Sequence, residues 1–341
     1  MNSTFASSWQ HVAGLSLSQQ RALLHSADPS ERIWASWALA LELGGAAVAE
    51  VRTRPHDEPT PGVRRQLVVV LAGLGETDLV HQMALHDPDA GVRGTAVQYL
   101  IRTLDPGSAA AEEFAARRIE EDVVRVRLAI LEEVLAGRVA LPESLLLKMA
   151  VGQDLDQRSS ALEALGHRAS LASPTVMAMV EHLPHEGDAD LRGSFISLII
   201  REGSELPLLR RAASFPEETS LAVLTIAAGL GVHAGWQDLE ALARRPEIKV
   251  QSAVLEFLNL PLEAGVLTWL ASVALNLIAA AEAQGAQARR ADELVLQRKV
   301  LGLLWGALGS GNNELLHPRV AKMVRRFGAE TKASWEWDRY D

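Results

Sequence analysis

One arginine returns about every thirty residues in the same local setting: a turn carrying Asp or Pro, then Arg one helical turn later, then an apolar run. The clearest copies are Asp28-Pro29-Ser30-Glu31-Arg32, Asp87-Pro88-Asp89-Ala90-Gly91-Val92-Arg93, Asp122-Val123-Val124-Arg125-Val126-Arg127 and Asp154-Leu155-Asp156-Gln157-Arg158. A fixed period of this size makes the chain an array of one supersecondary module, each copy burying its apolar face against the next. With Arg32, Arg64, Arg93, Arg127, Arg158 and Arg192 as register marks, the intervals are 32, 29, 34, 31 and 34 residues. Two further modules open at Pro216-Glu217-Glu218 and Pro246-Glu247-Ile248 without the arginine, so eight modules span about residues 17–260.

Within a module a shorter helix, A, is expected to precede a longer one, B. The B helices open with Pro in the first turn, or with Asp, Ser or Thr just before it, which satisfies the free amides there. They close on glycine, at Gly44-Gly45, Gly73-Leu74-Gly75, Gly137, Gly166, Gly203 and Gly229-Leu230-Gly231, where a left-handed residue can end the helix. Apolar residues fall three and four apart, as at Val92, Ala96, Tyr99 and Leu100. No segment alternates as a strand does, so the prediction is all-α. A hydrophobic content of 48% with only 5% aromatic fits a core of Leu, Ala, Val and Ile. The absence of cysteine removes disulfides, thiolate nucleophiles and Cys-ligated zinc together.

The sequence of turn Asp, Val-Arg, Ala and Leu is clearest at Gly91-Val92-Arg93-Gly94-Thr95-Ala96 and at Arg158-Ser159-Ser160-Ala161-Leu162-Glu163-Ala164-Leu165-Gly166. It resembles the HEAT repeat family, and within it the short bacterial HEAT-like repeats. The two arginine-free modules depart from that pattern. The resemblance implies a right-handed α-solenoid of about eight helical hairpins whose B helices line a concave side. It also implies a structural role for Arg32, Arg64, Arg93, Arg127, Arg158 and Arg192, as a ladder bonding the carboxylate or carbonyls of a neighbouring turn. Residues 1–260 would form the solenoid and residues 261–329 a helical cap, with helices near 263–283, 287–308 and 318–327. Residues 330–341 would form an aromatic and acidic tail. Trp34 and Trp37, three apart on the first B helix, are expected to share a core-facing side.

Net charge is −10, and residues 261–341 hold ten Lys/Arg against nine Asp/Glu, so the deficit lies in the repeat region. That field repels a phosphate backbone, which makes nucleic acid an unexpected principal ligand. Ala264 to Ala281 runs for eighteen residues without a charge. Its Gly265, Thr268, Ser272 and Asn276 and its many alanines favour a buried helix over a membrane span. Met1 to Leu17 has neither a basic leader nor an apolar run, and the expectation is a cytoplasmic protein.

Catalytic signatures fail on inspection. The densest polar cluster, His182-Leu183-Pro184-His185-Glu186-Gly187-Asp188-Ala189-Asp190, lacks the His-Glu-x-x-His spacing of a helical zinc site and is expected to be a connecting loop. No cofactor, metal or small-molecule substrate is called for. The expected function is non-enzymatic: an adaptor or regulatory subunit holding another protein, one with a basic surface given this chain's negative field. Trp335, Trp337 and Tyr340 are candidates for docking into a partner, since Trp and Tyr dominate interface hot spots. Packing of that tail onto the chain's own cap is the alternative.

The competing class is a HEAT-like enzyme or nucleic-acid-processing protein, of which alkylpurine DNA glycosylases and bilin lyases are examples. The glycosylases resemble this chain in repeat fold only, because they need a basic, aromatic channel. The B helices here offer chiefly Tyr99, Phe195 and Phe257. Arg319, Lys322 and Arg326, close to one face of a helix, keep that class open.

Overall fold

The computed structural model describes residues 9–258, 262–284, 291–309 and 318–337, without the side chains of 281–284, 308–309 and 329–337. All regular structure among these residues is helical. The chain divides into two compact units, Met1–Leu171 and Ala172–Asp341.

In the first unit α1 (Leu17–Leu23) packs on α2 (Pro29–Leu43). Two one-turn helices follow, α3 (Val48–Val51) and α4 (Arg54–Asp57), where the repeat pattern calls for a single A helix. Gly44-Gly45 and Pro55 account for the break, since adjacent glycines weaken a helix and proline removes an amide donor. Then come α5 (Pro61–Gly73), α6 (Thr77–His86), α7 (Ala90–Thr103), α8 (Ala109–Glu121), α9 (Val124–Leu135), α10 (Glu143–Ala150) and α11 (Leu155–Gly166). The long helices contact in series, α2 on α5, α5 on α7, α7 on α9 and α9 on α11. α6, α8 and α10 each pack on the long helix that follows them. A core of Val, Leu and Ile lies between, with Leu39, Leu67, Leu71, Ile101, Ile130 and Leu165 almost wholly buried.

The second unit repeats the scheme. Its long helices are α13 (Ala189–Arg201), α15 (Glu217–Gly229) and α17 (Ile248–Val254), each contacting the next. α12 (Ser173–His182), α14 (Glu205–Ala212) and α16 (Trp236–Ala243) pack beside them. A longer hairpin of α18 (Ala264–Gln284) and α19 (Ala291–Gly309) then seats α18 on α16 and α19 on α17, and α20 (Pro318–Trp337) lies on both. The uncharged stretch in α18 buries one side only: Val266, Leu267, Leu270, Ala271 and Ala274 face the core, while Thr268, Ser272 and Asn276 are exposed. No described helix is long and apolar enough to cross a membrane.

Four long helices end identically. In α5, α9, α13 and α15 a glycine at positive φ (Gly75, Gly137, Gly203, Gly231) is followed by an amide that donates five residues back, as Arg138 does to Glu133 and Val232 to Ala227, at 3.0 and 2.9 Å. Only glycine takes that conformation without strain. Gly166, expected to act the same way, stays helical as the last residue of α11.

Trp34 and Trp37 are half-buried, not central to the core. The Trp34 ring meets Trp9 at 5.7 Å, and Trp37 Nε1 donates across to Gln66 on α5 at 3.4 Å. α20 runs without a break from Pro318 to Trp337 and so takes in much of the expected tail. The side chains of Trp335 and Trp337, and Tyr340 altogether, lie outside the described residues.

Candidate functional site

All six arginines sit at one structural address, four residues after the residue that caps the N-terminus of a long helix. Their backbone amides donate to the cap carbonyls of Asp28, Thr60, Asp89, Val123, Asp154 and Asp188. From that address the guanidinium points back over the turn before the helix.

Three rungs are complete. Arg32 Nε and NH2 donate to Glu58 at 2.8 Å each, and NH1 donates to the carbonyls of Ser26 and Ala27 in its own turn. Arg64 grips Asp87 in the same way, at 2.8 and 3.0 Å, and takes the carbonyls of Glu58 and Pro59. Arg93 pairs with Asp122, its NH2 at 2.7 Å, and takes the carbonyls of Asp87 and Pro88. Each carboxylate has a second task, accepting the backbone amide of the next helix's cap residue: Thr60, Asp89 and Val123, at 2.9, 2.9 and 2.8 Å. One bidentate ion pair therefore joins two consecutive helix starts. Burial is the largest influence on the Glu58 and Asp122 carboxyls and acts to raise them, but the hydrogen bonds from Arg32 and Arg93, the backbone amides of Thr60 and Val123 and the arginine charges together outweigh it and hold both below the usual carboxylate range.

The fourth rung is different. Two residues before the caps of α5, α7 and α13 stand Glu58, Asp87 and Glu186, and one residue before that of α9 stands Asp122, whereas the α11 cap Asp154 is preceded at these positions by Gly152 and Gln153. There is no carboxylate for Arg127 to take. The turn ahead of α9 is also one residue shorter than that ahead of α7, and its carbonyls accept nothing from Arg127. Arg127 Nε is buried with no hydrogen-bond partner. It borders an open cleft of about 550 Å³ whose other polar walls are Lys148, Gln153, Gln157, Glu120 and Asp154. The corresponding cleft at the second rung, where Asp87 is in place, is about 340 Å³.

Arg158 donates to the Ala150 carbonyl at 3.3 Å. In the second unit Arg192 takes the Glu186 and Gly187 carbonyls and reaches the exposed Glu218 at 3.8 Å. Glu186 accepts the Asp188 amide at 2.8 Å and lies 3.4 Å from His182, so the predicted polar loop is an organised helix start. No group of three or more His, Asp or Glu among the described residues is placed to hold a metal ion.

The two modules without the arginine keep the address and change its occupant. Ser220 and Gln251 stand four residues after the caps Pro216 and Glu247. Arg245, two residues before the second of these caps, occupies the place a carboxylate holds elsewhere. It runs the rung in reverse: NH1 donates to the Phe215 carbonyl and to Ser220 Oγ at 2.7 Å, while Nε and NH2 clasp Glu247. Gln251 Nε2 donates to the Arg245 carbonyl at 2.7 Å. Counting arginines misses this rung, although placing each module on its cap residue brings Arg245 into the carboxylate column.

α20 turns Val320 and Val324 inward and leaves Arg319, Lys322, Arg325 and Arg326 exposed. No family model matches the chain, and no curated protein sequence matches it.

Proposed function

We propose that the chain is a HEAT-like α-solenoid scaffold, without catalytic activity, that binds another protein along its long helices, and that one docking place is the face around Arg127. The observation that carries this reading is an exposed apolar rim. Val123, Val151 and Leu155 are 50%, 37% and 53% exposed, and each adjoins in sequence a residue of the Arg127 cleft, Val124, Gly152 or Asp154. Isolated exposed apolar residues are ordinary, but several of them beside a half-buried cation that has no ion-pair partner have the composition of an interface centre. Serial helix contacts support the scaffold part, since stability built from neighbour contacts leaves one side of every long helix free for a partner.

The test places a photo-crosslinking residue at Leu155 in the native host, with Leu41, exposed on α2, as the control. A discrete protein adduct from position 155 that is absent from position 41, and lost when Val123 and Val151 become Asp, is the expected result. Equal labelling at both positions, or none, rules the reading out.

A second reading, a nucleic-acid-binding HEAT-like protein, is favoured by the exposed basic side of α20 alone. Salt-titrated duplex DNA binding separates the two, because phosphate contacts make affinity fall steeply with salt.

A further inference from the structure

Glu58, Asp87 and Asp122 show what the rung address selects: one carboxylate, held bidentately by arginine. At the fourth rung the arginine stands at the same address, but neither a carboxylate nor the carbonyls of its own turn take it. Arg127 Nε has no acceptor, and Lys148 forms no ion pair among the described residues. Gln157 is 5% exposed, its Oε1 is unpartnered, and its Nε2 lies 3.6 Å from where a side chain on Gly152 would begin. Two cations and the Gln157 carboxamide thus line the space equivalent to the one Asp87 fills two rungs earlier.

We propose that this space receives an Asp or Glu side chain from a peptide segment of the partner protein, its carboxylate held by Arg127 with Lys148 and Gln157, and its apolar neighbours resting on Val123, Val151 and Leu155. The proposal rests on the protein-binding reading above and names its chemistry. Two features favour a carboxylate over a phosphate. The arginine address is filled by a carboxylate in each complete rung. The cleft also contains the carboxylates of Glu120 and Asp154, the latter already accepting the Gln157 amide at 2.9 Å. Two cations and two carboxylates leave no excess charge, so a monoanion is accommodated with less repulsion than a dianion. The net charge of −10 points to a basic partner at long range, but screening within about 8 Å in physiological salt leaves the contact to the local groups.

The test pans a displayed random-peptide library against the full-length protein, then measures a synthetic winner by fluorescence anisotropy. Expected is an Asp or Glu at a fixed position between apolar residues, with affinity at least about tenfold lower when that acid is made its amide, the loss typical of a charge-assisted bidentate contact. Arg127→Gln should give the same loss. So should Gln153→Asp, which supplies a carboxylate from the position Asp122 holds relative to its own cap, and circular dichroism should be unchanged in both variants. Winners that need no acid, or that ignore both variants, overturn the inference and leave protein docking standing. A library that yields no binder sinks both. Displacement of the peptide by free acetate or inorganic phosphate at matching concentration makes this a small-ion site, and the inference falls.

Discussion

A guanidinium buried with its carboxylate and a half-buried one whose Nε has no acceptor are opposite investments of the same residue, and the ladder contains both. Removing one partner of a buried pair strands the other charge at about 3–5 kcal/mol. Asp87→Asn should therefore cost about 3 kcal/mol in urea unfolding, because Arg64 and Asp87 are both buried. Arg127→Gln should change stability by less than about 1 kcal/mol, since no bond is broken. Comparable costs for the two variants would contradict the open rung. The paired carboxyls also predict an acid response. Glu58 and Asp122 titrate lower folded than unfolded, as does Glu133, where burial is outweighed by bonds from Arg138 and Arg102. Their contribution is full above the unfolded value of roughly 4 and is lost as pH falls through the folded values, where the unfolded chain binds more protons. Between about pH 5 and 2 stability should decline, and less steeply in Glu58→Gln, as read by denaturation at each pH. The six arginines are legible as letters. The missing carboxylate was legible too, since Gly152 shares a column with Glu58, Asp87 and Glu186. The reversed rung at Arg245 escapes a search for the repeated arginine, because its cation arrives from the following module, and shows only when modules are aligned on their caps.

At the scale of elements, helix starts were easy to foresee and helix interiors were not. Asp28, Asp89, Asp154 and Asp188 cap their helices through side-chain oxygens, a signal confined to a few residues. The division of the second module's A segment into α3 and α4 depends on how Gly-Gly and Pro act together, and the reach of α20 to Trp337 has no breaker to mark it. Interior glycines have opposite meanings by position. A Cβ on Gly94 in α7 would stand 3.3 Å from Ala129 Cβ and 3.7 Å from the Arg125 carbonyl of α9, whereas one on Gly302 in α19 would meet nothing within 4 Å. Gly94→Val should force α7 from α9 and cost about 1–3 kcal/mol. Gly302→Ala should add about 0.5–1 kcal/mol, by restricting the unfolded chain. Thermal melts of the two variants should move in opposite directions.

At the scale of the whole molecule the all-helical character was legible from the helical spacing of apolar residues, and the structure adds a division into two compact units at Leu171, where the modules look alike in sequence. Each unit has its own serial helices and its own buried core. A fragment ending at Leu171 should accordingly show helical circular dichroism and a urea transition of its own, and a featureless spectrum would refute that independence. The reversed rung has a historical consequence. If the seventh and eighth modules descend from the same ancestor as the rest, exchanging an arginine at 220 and an acid at 245 for Ser220 and Arg245 took two mutations. Either order passes through a form with two facing cations or a stranded acid. Such an ancestor would have survived only where adjoining repeats lent it enough stability to bear the interval.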